Sequence, residues 1–139
     1  MPSALVYIKL RKKTLALIVR ANLEPQKDQF LTDPQSPLQL GVLDYPENST
    51  VKPHLHRQMT KTTHKNQEFI YLVKGQVKVD FYSKHKLIQT ETLNPGDSLL
   101  QLSGGHGFTF LKPSKIITIK QGPYHGRSRE KNIIDTRVV

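Results

Sequence analysis

The sequence predicts an all-β fold, a sandwich or barrel of short antiparallel strands, on three observations. First, Val77, Val79 and Phe81 alternate with Lys78, Asp80 and Tyr82. That is the period of a strand with one face in a core and one in water. Second, turn-forming residues punctuate the whole chain: Pro46-Glu47-Asn48-Ser49, Gly75, Ser83 to Lys86, Asn94-Pro95-Gly96-Asp97, Ser103-Gly104-Gly105 and Pro113. The intervals hold short strands and no convincing helix. Third, 139 residues with a 36% hydrophobic share suffice for one domain with a single core.

Leu5 to Leu10 and Leu15 to Arg20 are two short apolar segments separated by Arg11-Lys12-Lys13-Thr14, suited to a hairpin or two edge strands. Gln26 to Pro37, with Asp28, Asp33, Pro34, Ser36 and Pro37, is a loop by composition. Leu38 to Tyr45 and Thr50 to His56 are expected as strands on either side of the Pro46–Ser49 turn. Arg57 to Gln67 is polar and expected as a long connection. Glu68 to Lys74 and Gln76 to Tyr82 form the strongest predicted hairpin, about Gly75.

Further strands are expected at Leu87 to Leu93, Ser98 to Leu102, His106 to Leu111 and Lys115 to Lys120. Pro95 presets φ in the turn before the second of these, and Gly96 tolerates positive φ. Tyr71, Phe81, Phe108 and Phe110 sit at strand spacing and are expected in the core. Lys120, Gln121 and Tyr124 are expected to cap the end of the last strand, with lining of the barrel mouth as the alternative. From His125 the tail is charged and expected to be loosely ordered, with Ile133 and Ile134 as residues able to dock. The organisation read from this is 1–37 as flanking strands and loop, 38–124 as the barrel, and 125–139 as tail.

Cysteine is absent, which excludes disulfides, thiolate metal sites and a cysteine nucleophile. The apolar run Leu15 to Val19 is far too short for a secretory h-region or a membrane span. A cytoplasmic protein that does not engage membrane is therefore expected. The formal charge is +10, which favours anionic partners through long-range attraction. Nucleic acid is not expected among them. The lysines are dispersed, tryptophan is absent, and no block of basic residues alternates with aromatics.

The residues that carry chemistry are histidines and one carboxylate. His54 and His56, two residues apart, would share one face of an extended strand. Glu68 begins a strand face that continues with Ile70 and Leu72, where a bare carboxylate is costly to bury and a cation partner would remove the cost. His106 follows Gly104-Gly105. Three imidazoles and a carboxylate suit a divalent ion such as Zn, Fe, Ni or Mn. His64 is the reserve ligand should Glu68 not serve. His85 and His125 read as surface residues. No Ser-His-Asp constellation and no phosphate-binding loop is apparent.

This pattern resembles the cupin superfamily of metal-binding jelly-roll barrels (double-stranded β-helices). His54-Leu55-His56 matches the His-x-His of the first cupin motif, and Glu68 followed six residues later by Gly75 matches its Glu-x6-Gly. Gly96-Asp97 and Ser103-Gly104-Gly105-His106 look like the second motif. Eleven residues, Arg57 to Gln67, separate His56 from Glu68, a longer gap than the motif has. More narrowly, His106-Gly107-Phe108 and Ile119 to Tyr124 look like small bacterial cupins encoded beside surface-polysaccharide and sugar-nucleotide enzymes. The resemblance implies a cupin-type jelly roll with His54, His56, Glu68 and His106 as metal ligands. It implies a small organic ligand, anionic or sugar-derived, in the barrel. The activities it implies are metal-dependent isomerisation, epimerisation or dioxygenation. A non-catalytic binding or sensor barrel and a partner protein of a biosynthetic enzyme are the alternatives. Pairing through edge strands into a homodimer is also expected of the fold.

Overall fold

Strand alternation translates directly into ladders. The computed structural model describes residues 3–25 and 29–135. Two compact units make up the chain, one from Met1–Leu23 with Asn66–Val139 and the other from Glu24–Lys65.

In the first unit, β1 (Leu5–Leu10) and β2 (Lys13–Val19) form the hairpin expected from the two N-terminal apolar segments. β2 continues onto β8 (Ser98–Gln101), β8 onto β5 (Glu68–Lys74), and β5 onto β10 (Lys115–Lys120). The result is a five-stranded antiparallel sheet in the order β1-β2-β8-β5-β10. The N-terminal strands, expected to flank the barrel, are thus integral to its larger sheet. A second sheet has the order β7-β6-β9, from β7 (Lys86–Leu93), β6 (Val77–Ser83) and β9 (Gly105–Phe110).

The two sheets pack face to face. Ile8, Ala16, Ile18, Ile70, Leu72 and Leu99 from the larger meet Val77, Val79, Phe81 and Leu93 from the smaller in one buried cluster. Burying such side chains stabilises by about 1.5–3 kcal/mol each and dominates the fold's stability. The ladders end at β1 and β10 in one sheet and at β7 and β9 in the other. The described strands therefore form open sheets, and the closed barrel anticipated from the sequence is not what they build. Register shifts at Ile8/Lys9 and Lys115/Ile116 fall on the two edge strands of the larger sheet, where bulges are commonest and make an open edge a poorer template for further pairing.

Gly75 joins β5 to β6 at φ +99°, and a Cβ there would lie 2.6 Å from the Pro113 carbonyl. Only glycine fits that turn without strain. The Asn94–Asp97 turn is locked differently. Asp97 is 4% exposed and accepts from the backbone N–H groups of Asn94 (2.8 Å) and Ala21 (2.9 Å). Arg20 donates to Asp97 Oδ2 (3.0 Å), to Glu91 Oε2 (3.2 Å) and to the Thr92 carbonyl (2.5 Å). One guanidinium therefore binds the end of β2 to β7 of the opposite sheet.

In the second unit, β3 (Gln29–Phe30) and β4 (Gly41–Val42) form a two-residue ladder, with the Phe30 ring close over Gly41. The loop expected over Gln26 to Pro37 contains β3, while its residues 26–28 lie outside the described residues. Of the strand expected at Leu38 to Tyr45, only Gly41–Val42 pairs. Thr50 to His56 forms no strand. Among the described residues it has no ladder partner, Pro53 lacks a donor, and every side chain in it is exposed.

The aromatics divide between core and surface. Phe81 is fully buried and Phe108 packs against the core. Tyr71, 38% exposed, and Phe110, 52% exposed, do not join it as expected. Tyr71 alternates with Ile70 and Leu72 and so takes the outer face of β5, while Phe110 closes β9 at its exposed end.

Candidate functional site

At one end of the sandwich the apolar core gives way to a polar layer. Its composition follows from register. On the larger sheet, Ile70 is opposite Leu99 and Thr118. Two residues earlier along β5, Glu68 is opposite Gln101 on one side and Lys120 on the other. Parity turns Glu68, Gln101 and Lys120 to the same inward face as Ile70. On the smaller sheet, His106 is opposite the buried Phe81 and shares its inward face.

His106 closes the gap between the sheets. Its Nε2 lies 3.3 Å from Glu68 Oε1, and its Nδ1 lies 3.0 Å from Gln101 Oε1. The Gln101 amide is oriented by its own donors, which reach the carbonyls of Ser103 (2.6 Å) and Leu15 (3.4 Å). Its oxygen therefore faces the histidine and accepts from Nδ1–H. The imidazole also lies against Phe108, with ring centroids 4.6 Å apart.

Glu68 has two further partners. Thr118 Oγ1 donates to Oε2 at 2.8 Å, and Lys120 Nζ lies 3.8 Å from the same oxygen. Burial by itself raises the carboxyl's pKa. The hydrogen bonds from His106 and Thr118, with the charges of His106 and Lys120, outweigh it and bring the pKa from 4.5 down to about 2. Glu68 is an anion throughout the physiological range, which settles the burial problem posed by its place on an apolar strand face.

Above this floor is a cavity of about 530 Å³, lined on the sheet side by Glu68, Gln101, His106, Phe108 and Lys120. The other wall is the C-terminal segment. Residues 121–135 pass along the cavity through α1 (Arg127–Glu130), a single helical turn, so the tail expected to be loose from His125 is held there, with Ile134, one of the two residues read as able to dock, packed on the sheet. Glu130 holds it in place, accepting from Asn66 Nδ2 (2.7 Å) and from the His125 N–H (3.1 Å). Ile134 packs so closely on Gly105 that a Cβ there would lie 2.7 Å from its Cδ1. The Asp135 N–H reaches His85 Nδ1 at 3.3 Å. Residues 136–139 lie outside the described residues.

Of the four residues expected to hold a metal, Glu68 and His106 meet in the first unit. His54 and His56 belong to the second unit, exposed and outside any strand. Their ring centroids are 5.1 Å apart, and His54 Nδ1–H donates to the Lys52 carbonyl at 2.8 Å. His64 is exposed in the same unit. Among the described residues, no group of three or more His, Cys, Asp or Glu side chains is placed to share a metal ion.

Sequence reasoning missed Gln101 as the residue that orients His106. The available signal was a polar residue two positions after Leu99, on the apolar parity of β8. Lys120, Gln121 and Tyr124, expected as an end cap with pocket lining as the alternative, all line the cavity, where Gln121 Oε1 accepts from the Gln67 N–H at 2.6 Å. No helix among the described residues is long and apolar enough to cross a membrane. No family model, curated protein or solved structure matches the chain.

Proposed function

We propose that this chain binds a small organic molecule in the cavity over Glu68 and His106, and that its paired sheets are a variant of the cupin-type jelly roll. The observation that carries the reading is the His106 bridge. A concave site of ligand size has at its floor an imidazole and a carboxylate, both fixed by neighbours and both turned to the interior. Antiparallel pairing throughout and a core shared by two sheets support the jelly-roll part of the proposal.

The pair also fits a divalent metal ion as two of its ligands. Gln101 accepts the Nδ1 proton of His106, the outer-shell arrangement that directs a lone pair at Nε2 toward a metal. Glu68 supplies an anionic oxygen beside it. A metal held there would polarise a carbonyl or activate water. Phe108 and the C-terminal segment line the cavity at the same place.

A metal-free binding cavity is the second reading. It is favoured by the pairing of only two potential ligands and by the three side chains that already satisfy Glu68. Elemental analysis of the purified protein, followed by calorimetric titration with Zn²⁺, Mn²⁺ and Ni²⁺, separates the readings. Uptake of one equivalent that is lost in His106→Ala and Glu68→Gln supports the metal site. No uptake by the unmodified protein removes the metal and retains the binding cavity.

A further inference from the structure

The cavity's carboxylates are already satisfied, and two of its cations are not. Glu68 is occupied by His106, Thr118 and Lys120. Glu130 is occupied by Asn66 and the His125 amide. Arg127 and Lys131 also line the cavity, and among the described residues neither has an acidic partner. Lys120 reaches Glu68 only at 3.8 Å, which leaves donors on its ammonium free.

Arg127 and Lys131 are exposed, and each also lines the cavity. Arg127 and Glu130 belong to the same helical turn, and the Glu130 anchor on Asn66 fixes that turn against the cavity. Ile134 on Gly105 fixes the chain beyond Lys131. A basic residue on each side of the Glu130 anchor is thereby kept beside the cavity. Two aromatic side chains, Phe108 and Tyr124, line the same cavity.

From this arrangement we infer that the cavity takes a phosphorylated small molecule, with the phosphate between Arg127, Lys131 and Lys120 and a flat or apolar body against Phe108 and Tyr124. The inference rests on the cavity being the ligand site and specifies the ligand's class. A guanidinium binds two phosphate oxygens through parallel N–H donors, and the two ammonium groups balance the remaining charge. The volume of about 530 Å³ is within the range of small-molecule sites. The overall charge of +10 draws such an anion toward the protein without selecting where it binds.

The test is calorimetric titration of the full chain with phenyl phosphate, inorganic phosphate and phenol at moderate ionic strength. Phenyl phosphate is expected to bind at least tenfold more tightly than either of the others. The double variant Arg127→Gln/Lys131→Gln is expected to weaken it at least tenfold. Lys12→Gln/Lys13→Gln removes the same charge at the β1–β2 turn and is expected to change it less than twofold. Equal weakening by both pairs would reduce the effect to net charge and overturn the inference, as would absence of phenyl phosphate binding. Metal uptake in the same preparations keeps the outcomes distinct. Binding of phenyl phosphate without metal leaves the inference standing and the metal reading lost. Uptake of metal without phenyl phosphate binding does the reverse.

Discussion

His106 and Glu68 meet at 3.3 Å between two sheets that share no β-ladder. Each comes from the inward face of its strand, at the layer where Phe81 and Ile70 end the apolar core. A contact of this kind joins the sheets and exposes a polar pair to the cavity at once, so its removal has both a structural and a binding consequence.

Acid stability of the metal-free protein is set in part by Glu68. Its carboxyl is lowered from 4.5 to about 2 in the folded state. A lowered carboxyl contributes stability that is present above its unfolded value and disappears as the pH falls through the folded value. The loss is expected between pH 4.5 and about 2. At about 1.4 kcal/mol per pKa unit, the contribution is at most a few kcal/mol. Urea unfolding of the unmodified protein and Glu68→Gln is expected to give a gap that is full above pH 4.5 and closes toward pH 2. A pH-independent gap would show that the charge of Glu68 is not what stabilises.

Asp97→Ala is expected to cost about 3 kcal/mol, because it removes one of the acceptors of Arg20 and leaves two backbone N–H groups without theirs in a buried place. Asp97→Asn keeps one acceptor oxygen and should cost less. Urea midpoints of the two variants, with circular dichroism to verify the β-sheet, check the order.

Gly75→Ala is expected to destabilise by more than about 1 kcal/mol, since φ +99° and the nearby Pro113 carbonyl both oppose a side chain. Gly122→Ala is the control, with nothing within 4 Å of the added carbon. Thermal melts of the pair should separate clearly.

Anchoring of the C-terminal segment can be read locally. Asn66→Ala removes the donor to Glu130. Faster hydrogen exchange is expected across 125–135, with β5, β6 and β8 unaffected. Uniformly faster exchange would place Asn66 in the stability of the whole unit instead.

His54 and His56 are tested by metal content. If they ligate, the double variant His54→Ala/His56→Ala loses metal uptake while its β-sheet circular dichroism is unchanged. Uptake equal to that of the unmodified protein, with loss in His106→Ala, would assign the metal to the first unit's pair alone.

Local chemistry made much of the first unit legible. The alternation of Val77, Val79 and Phe81 and the glycine at 75 placed the β5–β6 hairpin, and Asn94-Pro95-Gly96-Asp97 placed the turn before β8. Period-two patterning and turn stereochemistry are written within a few consecutive residues, so a sequence read alone determines them. Glu68 too was marked by its charge on an apolar face. The same local reading failed at Thr50 to His56, where extended character found no neighbouring strand to pair with.

What tertiary structure alone decided is which distant residues share a layer. The order β1-β2-β8-β5-β10 puts Gln101 and Lys120 on either side of Glu68, and the second sheet brings His106 across to it. Sequence separation carries no trace of these neighbours, because strand order follows from how the whole apolar surface is buried, not from any one segment. The C-terminal segment is the clearest case. Its charged composition reads as a solvated tail, and only the Glu130–Asn66 and Ile134–Gly105 contacts turn it into a wall of the cavity.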